Sequence, residues 1–300
     1  MIIPPYLTHG DTIALAAPAR KISEQEVYPA VQLIRQEGFN VHYDDRLFAE
    51  SHQFAGDETV RTAYIQELLD NPDVKAIWFA RGGYGSARII DRLDFSRFCQ
   101  HPKWLVGYSD VTVFHCHVHQ QFGIATLHAT MPFNVHEGEF GSPANQTLLN
   151  ALRGKSLHYE LTPHPLNRAG DFSAPVVGGN LSILYSLMGS ASALDTDGKV
   201  LFIEDLDEYL YHIDRMMTCL ERGGKLRNLA GLVVGYMSDM HDNAIPYGKN
   251  AEEIVAEHCQ KYDFSVLFNF PAGHEAHNLA IRMGCPLHCH VHDNQIIIEN

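Results

Sequence analysis

The sequence predicts an α/β protein: a doubly wound, mostly parallel N-terminal sheet followed by a second, smaller α/β domain. Three observations predict it. Short apolar runs alternate along the chain with stretches that repeat apolar residues every three or four positions, the pattern of strands followed by helices. The strand-like runs are apolar throughout, as in sheets covered on both faces. Two of them, at Arg81-Gly82-Gly83-Tyr84-Gly85-Ser86 and at Gly107-Tyr108-Ser109-Asp110, end where a doubly wound sheet opens its ligand crevice, beyond the carboxyl ends of the strands.

Taken in order, Thr12-Ile13-Ala14-Leu15-Ala16-Ala17-Pro18 reads as the buried first strand. Residues 23–38 follow as a helix capped by Ser23 and stopped at Gly38, with Val27, Val31 and Ile34 on one face. Val41-His42-Tyr43 is a short second strand. Residues 57–69 are helical, with Val60, Tyr64, Leu68 and Leu69 inward. Val74 to Ala80 is the third strand, and a helix through Ile89, Ile90 and Leu93 is expected after its turn. Trp104-Leu105-Val106 stops at Gly107 and presents a single hydroxyl, Ser109. Val111, Phe114, Val118 and Phe122 then recur at helical spacing, so Ser109 or Asp110 can serve as N-cap. Ile124 to Leu127 is a further strand.

Residues 153–175 break the pattern with Pro163, Pro165 and Gly170, which predicts a crossover between an N-terminal domain at 1–152 and a C-terminal one at 176–300. The second half opens with Pro175-Val176-Val177-Gly178-Gly179-Asn180 and a helix through Leu181, Leu184 and Leu187. A strand over 199–205 ends in Glu204 and Asp205. A helix over 211–222 turns Ile213, Met216, Met217 and Leu220 inward. A buried strand at 229–235, a helix at 251–262 and a strand at 265–268 lead to Pro271-Ala272-Gly273-His274. The tail alternates Leu287, Cys289 and Val291 with His288, His290 and His292, then runs Gln295-Ile296-Ile297-Ile298-Glu299; a hairpin turning at Asp293-Asn294 is expected.

Composition narrows the function. Of 300 residues, 45% are hydrophobic and 19% charged, a balance that supports a large core. Lysine and arginine number 22 against 36 acidic residues, a net charge of −14. Nucleic-acid binding needs a basic stripe, and docking on anionic lipid needs basic clusters, so neither partner is expected. No apolar run approaches a membrane span, and the N-terminus has no signal-peptide pattern. The six cysteines form no C-x-x-C pair, as suits a reduced, cytoplasmic setting.

Several stretches can carry chemistry, each with a plain alternative. Ser109 at a strand-to-helix turn has the setting of a nucleophile elbow, although the G-x-S-x-G pattern would place Gly where Val111 stands; a capping serine is the ordinary alternative. The glycine-rich turn after Arg81 lets backbone N–H groups converge on an anion. It reads as a phosphate loop without the usual lysine, as half of an oxyanion hole, or as a tight turn. Glu204, Asp205, Asp207 and Glu208 form either a hard-cation site or a solvated acidic loop. Among 19 histidines, His115, His117 and His119 share a helix and His288, His290 and His292 share a strand face. Either trio could chelate a metal, with solvent-facing histidines the more usual outcome.

The order of these stretches is more specific than any one of them. Arg81-Gly82-Gly83-Tyr84-Gly85, Gly107-Tyr108-Ser109-Asp110, Gly178-Gly179-Asn180-Leu181, Leu201-Phe202-Ile203-Glu204-Asp205, Ile213-Asp214-Arg215-Met216 and Gly273-His274 resemble the LD-carboxypeptidase family of serine peptidases over nearly the whole chain. The family also includes enzymes that cleave the peptide–nucleotide antibiotic microcin C. The resemblance implies a two-domain fold and a Ser-His-Glu triad split between the halves. Ser109 would be the nucleophile, His274 the general base and Glu204 the acid that orients it. It also implies an oxyanion hole made by the N–H groups of Gly83 and Asp110. The implied reaction is hydrolysis of an L–D peptide bond, releasing D-alanine from murein tetrapeptide in the cytoplasm, by a homodimer that needs no cofactor or metal. Arg81 is a candidate anchor for the anionic substrate, with an inter-strand salt bridge as the alternative; Arg215 is expected to pair structurally. His212, where relatives carry Arg or Lys, and the added Tyr209-Leu210-Tyr211 depart from the family pattern near the expected crevice. A nucleotide or phosphosugar binding module built on the Arg81–Gly85 turn is the rival reading from another class.

Overall fold

The computed structural model describes residues 1–292 and 295–300. The first half contains β1 (Thr12–Ala16), α1 (Glu24–Gln36), β2 (Asn40–His42), α2 (Glu58–Asp70), β3 (Val74–Phe79), α3 (Ser96–Gln100), β4 (Trp104–Gly107), α4 (Thr112–Phe122), β5 (Thr126–His128) and α5 (Pro143–Leu152). The second contains β6 (His158–Leu161), β7 (Gly170–Asn180), α6 (Leu181–Ser186), β8 (Val200–Leu206), α7 (Leu210–Arg222), β9 (Gly231–Ser238), α8 (Ala251–Cys259), β10 (Ser265–Leu267), β11 (Ile281–Met283), β12 (Pro286–His292) and β13 (Gln295–Glu299).

Local chemistry explains most boundaries. Ser23 caps α1 in a reciprocal capping box with Glu26, and Gly38 follows the helix at φ +81°. Asp57 caps α2 through the Val60 N–H. Ile213, Met216, Met217 and Leu220 of α7 are all buried, as their spacing requires. Each apolar side chain removed from water in this way contributes about 1.5–3 kcal/mol.

The N-terminal sheet runs β2-β1-β3-β4-β5, all parallel, a doubly wound sheet of the kind that the apolar runs predict, with its strand order supplied by the structure. Its outer edge is completed by β11, which lies antiparallel to β5 and comes from the far end of the chain. The second sheet is ordered β10-β9-β8-β7-β12-β13-β6. Strand β7 joins its two parts: Gly170–Pro175 pairs antiparallel with β12, and Val176–Asn180 pairs parallel with β8. Residues 153–175 therefore carry β6 and the first half of β7, both built into the second sheet. The hairpin strands β12 and β13 pair antiparallel, and the turn expected at Asp293-Asn294 lies outside the described residues.

Two expectations are corrected. The stretch through Ile89, Ile90 and Leu93 is not an α-helix but two 3₁₀ turns, Ser86–Arg88 and Ile90–Arg92. Its start is pinned by the Ser86 N–H donating to the buried Asp110 carboxylate at 2.8 Å, which redirects the backbone. Likewise, neither Ser109 nor Asp110 caps α4. Both lie in a 3₁₀ turn over Ser109–Val111 that precedes it, with the side chains turned to tertiary partners.

Candidate active site

Three segments meet at the carboxyl ends of β4 and β8. Ser109 follows β4 at φ +61°, a left-handed conformation that costs a non-glycine residue on the order of 1 kcal/mol or more and lifts its side chain clear of the sheet. Glu204 lies in β8 with no exposed side-chain surface. His274 follows β10 and keeps 12% of its side chain exposed. Its Nδ1 donates to Glu204 Oε2 at 2.7 Å and its Nε2 lies 3.0 Å from Ser109 Oγ. Ser109 and His274 are 165 residues apart in sequence, so only the docking of the two halves makes this contact.

Electrostatics suits the chain of bonds. Burial pushes the proton affinity of His274 down, and the carboxylate of Glu204, by charge and hydrogen bond, more than reverses it, so the imidazole pKa lies above its ordinary value. The second Glu204 oxygen, Oε1, is buried without a partner among the described residues, which leaves His274 as its carboxylate's main polar contact. The next residue, Asp205, is pushed up to about 7 by burial and by the neighbouring Glu204 charge. Asn180 Nδ2 and the N–H groups of Ser182 and Leu206 all donate to it at 2.9 Å. The Asn180 N–H in turn donates to the Thr112 hydroxyl oxygen at 3.0 Å, tying the end of β7 to the start of α4 just beyond Ser109. On the other side, the Tyr108 ring packs edge-on against His274 at 4.9 Å.

The glycine-rich turn packs directly on the serine. A Cβ at Gly82 would stand 3.0 Å from Ser109 Cβ and 3.1 Å from its Oγ, so a side chain here would make the serine yield by a few tenths of an ångström. The Gly82 carbonyl accepts from the Arg20 N–H at 3.2 Å. In a trans peptide the Gly83 N–H then points the opposite way, and it meets no acceptor among the described residues. Asp110 is buried beside the serine; burial raises its pKa against the opposing bond from Ser86. Gly82 and Asn180 were legible only as parts of longer motifs. Their close approaches, not their residue types, reveal what they do.

Arg81 is engaged elsewhere in part. Its Nη1 donates to Glu26 of α1 at 3.1 Å and its guanidinium lies over the Phe133 ring at 4.1 Å, so the expected salt bridge forms with a helix rather than across strands. Arg215 stacks over Tyr211 at 5.1 Å. The acidic loop finds partners within the protein itself: Glu208 lies against His212 at 2.6 Å and Asp207 against His241 at 2.5 Å. His115, His117 and His119 do not face solvent. All three are buried, because α4 is packed between the two halves, and each has its own partner: Gly107 O, Ser192 Oγ and Thr126 Oγ1. Burial lowers His115 to about 4 and His119 to about 3. Among the described residues they form no metal-ligand cluster.

Sequence profiles of the LD-carboxypeptidase N-terminal domain and C-terminal domain match residues 13–129 and 173–288. The chain belongs to the LD-carboxypeptidase family. Within it, the chain is 31% identical over 303 residues to the probable murein peptide carboxypeptidase of Bacillus subtilis, covering 99% of this chain and 94% of that protein. Two solved structures share the LD-carboxypeptidase fold seen here. The muramoyltetrapeptide carboxypeptidase from Oxalobacter formigenes superposes with a TM-score of 0.87 at 24% identity, covering 96% of this chain and 98% of that one. MccF in complex with glutamyl sulfamoyl guanosine also gives 0.87, at 19% identity and with 100% and 99% covered.

Proposed function

We propose that this protein is a serine carboxypeptidase that hydrolyses an L–D peptide bond and releases the terminal D-alanine of murein tetrapeptide in cell-wall recycling. The unbroken run Glu204–His274–Ser109 carries the reading. In the first step Ser109 Oγ attacks the scissile carbonyl while His274 Nε2 takes its proton. Glu204 holds the imidazole in the tautomer that accepts at Nε2 and stabilises the imidazolium that results. The carbonyl oxygen gains charge and is received by the N–H groups of Gly83 and Asp110. His274 then gives the proton to the leaving amine, D-alanine departs, and a water activated by the same imidazole hydrolyses the ester and regenerates Ser109. Arg81, whose guanidinium has donors beyond the one held by Glu26, anchors a substrate carboxylate. No step calls for a metal or organic cofactor.

The unpaired state of all six cysteines fits a reducing cytoplasm, and a homodimer is the assembly we expect. The higher identity to a murein peptide carboxypeptidase favours the murein substrate over a microcin-type peptide–nucleotide conjugate.

The test is incubation with L-Ala-γ-D-Glu-meso-diaminopimelate-D-Ala, scored for free D-alanine, with a peptide–nucleotide conjugate run in parallel. The expected result is release of D-alanine by the wild type and none by Ser109→Ala. Turnover of the conjugate alone reassigns the substrate. A nucleotide that raises Tm equally in wild type and Ser109→Ala, with no hydrolysis of either substrate, makes the protein a binding module. An Arg81→Ala enzyme with unchanged KM removes Arg81 from substrate binding.

A further inference from the structure

The exposed face of the second sheet carries polar chemistry that the peptidase reading does not use. Strand β12 alternates, so Leu287, Cys289 and Val291 are buried while His288, His290 and His292 project outward on one face. Strand β7 lies antiparallel beside it, and the register sets Asp171 opposite His290. His290 Nδ1 stands 2.6 Å from Asp171 Oδ1, and His292 Nε2 stands 2.9 Å from the same oxygen. The two imidazole centroids are 4.1 Å apart. One carboxylate oxygen therefore has two ring nitrogens aimed at it from one side. A nitrogen, a nitrogen and an oxygen, one from each residue, all lie within 4.8 Å of one another; among the described residues this is the one group of such ligands close enough to share an ion.

The side chains of His290, His292 and Asp171 are about half exposed or more, at 50%, 48% and 64%, so an ion reaches them without any opening of the core. Asp171 and His290 border a depression of about 350 Å³ whose rim also holds His288 and Glu299. The stretch of β7 that carries Asp171 pairs with β12, and β12 pairs in turn with β13, so the ligands sit on backbone-paired strands. The net charge of −14 adds a general attraction for cations.

We propose that Asp171, His290 and His292 bind one divalent transition-metal ion. Two imidazoles and one carboxylate suit Zn²⁺, Ni²⁺ or Cu²⁺ and do not suit Mg²⁺ or Ca²⁺, which take oxygen ligands. Water fills the remaining positions. The ion clamps β7 to β12 at the end of the sheet remote from the serine. Asp171 and Asn180 lie at opposite ends of β7, nine residue steps apart or about 30 Å along an extended strand, so the site is peripheral to the hydrolytic centre. Its role is to stabilise the fold, not to act on substrate.

The experiment is calorimetric titration of the EDTA-stripped, full-length protein with Zn²⁺, paired with thermal unfolding with and without the metal. The expected result is one equivalent bound and a rise in Tm of the wild type. Binding should weaken by roughly tenfold or more in Asp171→Asn and be lost with the Tm rise in His290→Ala/His292→Ala, since even outer-sphere partners of a metal cost about 10–100-fold when removed. D-alanine release or any other hydrolysis the wild type performs should be the same in the stripped, loaded and double-variant proteins. Unchanged Zn²⁺ affinity in the double variant overturns the proposal, as does loss of binding in His158→Ala instead, which would place the ion on the neighbouring His158, Glu160 and Glu299. Because the ligands are exposed, the variants are expected to fold, and circular dichroism of the metal-free proteins verifies it.

Discussion

Replacing Glu204 by Gln keeps the size of the side chain and removes its charge, which isolates what the carboxylate does for His274. In the wild type, the Nδ1–Oε2 contact is 2.7 Å and the carboxyl is fully buried. When His274 takes the serine proton, a positive ring faces a negative carboxylate with charge centres about 4 Å apart. At an effective dielectric of about 20 that attraction is worth about 4 kcal/mol. It is present in the transition state and absent while the imidazole is neutral, so its loss lowers kcat by about 10³-fold. The pH profile changes as well, and its direction follows from the two opposing influences on the ring. Burial lowers the pKa of His274, and Glu204 more than compensates. Activity requires the neutral imidazole, so the acidic limb of the wild-type kcat/KM profile lies above the ordinary imidazole range. Without the Glu204 carboxylate, burial is opposed only by the lesser influence of the Asp205 and Glu275 charges, and the limb moves to lower pH. Steady-state kinetics over the pH range where the fold persists measures both. A kcat within tenfold of wild type, or an acidic limb that stays where it was, would refute the assignment of Glu204 as the orienting acid.

Three further outcomes follow from the packing. Gly82→Ala sets a methyl 3.0–3.1 Å from the Ser109 side chain and shifts its hydroxyl off His274; kcat should fall by roughly 10–100-fold with little change in Tm, checked by kinetics and calorimetry. Gly179→Ala drives a Cβ to 2.5 Å from Thr112 Oγ1 at φ +136°, where the two halves touch, and urea unfolding should show a loss of about 2–4 kcal/mol together with lowered activity. Stability should also fall in acid: His115, at about 4, and His119 and His128, at about 3, stay neutral when folded, whereas the unfolded chain protonates them below about pH 6.5, so each costs about 1.4 kcal/mol per pH unit as pH drops toward those values. His274 runs the other way, adding stability on the acid side that fades as pH rises through its raised pKa, and so do the buried carboxyls of Asp205, at about 7, and Asp110, so the net loss is smaller than the three histidines alone would give. Tm measured between pH 7 and pH 4.5 tests the sum; a Tm that rises on acidification contradicts it.

Much of this protein is determined locally, and the sequence by itself carries that part. The cap at Ser23, the inward face of α7 and the alternation of apolar strands with helices in the first half all depend on neighbours within a turn or on hydrophobic period. The motifs around Ser109, Glu204 and His274 are local too, because each needs only a strand that ends in a turn. What only the tertiary structure decided depends on contacts between distant segments, which no periodicity records. The 3.0 Å approach of His274 to Ser109 is of this kind, as are the pressure of Gly82 on the serine and the return of β11 to the first sheet. The histidines of α4 show the limit from the other direction. Their i, i+2 and i, i+4 spacing suggests a chelating or solvated face, yet packing between the halves buries each against a separate partner. Strand β12 gives the opposite outcome: its alternation places three histidines on one face, but the carboxylate opposite them belongs to Asp171, more than a hundred residues earlier in the chain. Side-chain period is a property of one segment, whereas a site is a property of the register between segments, and register is set by how the whole chain buries its apolar surface.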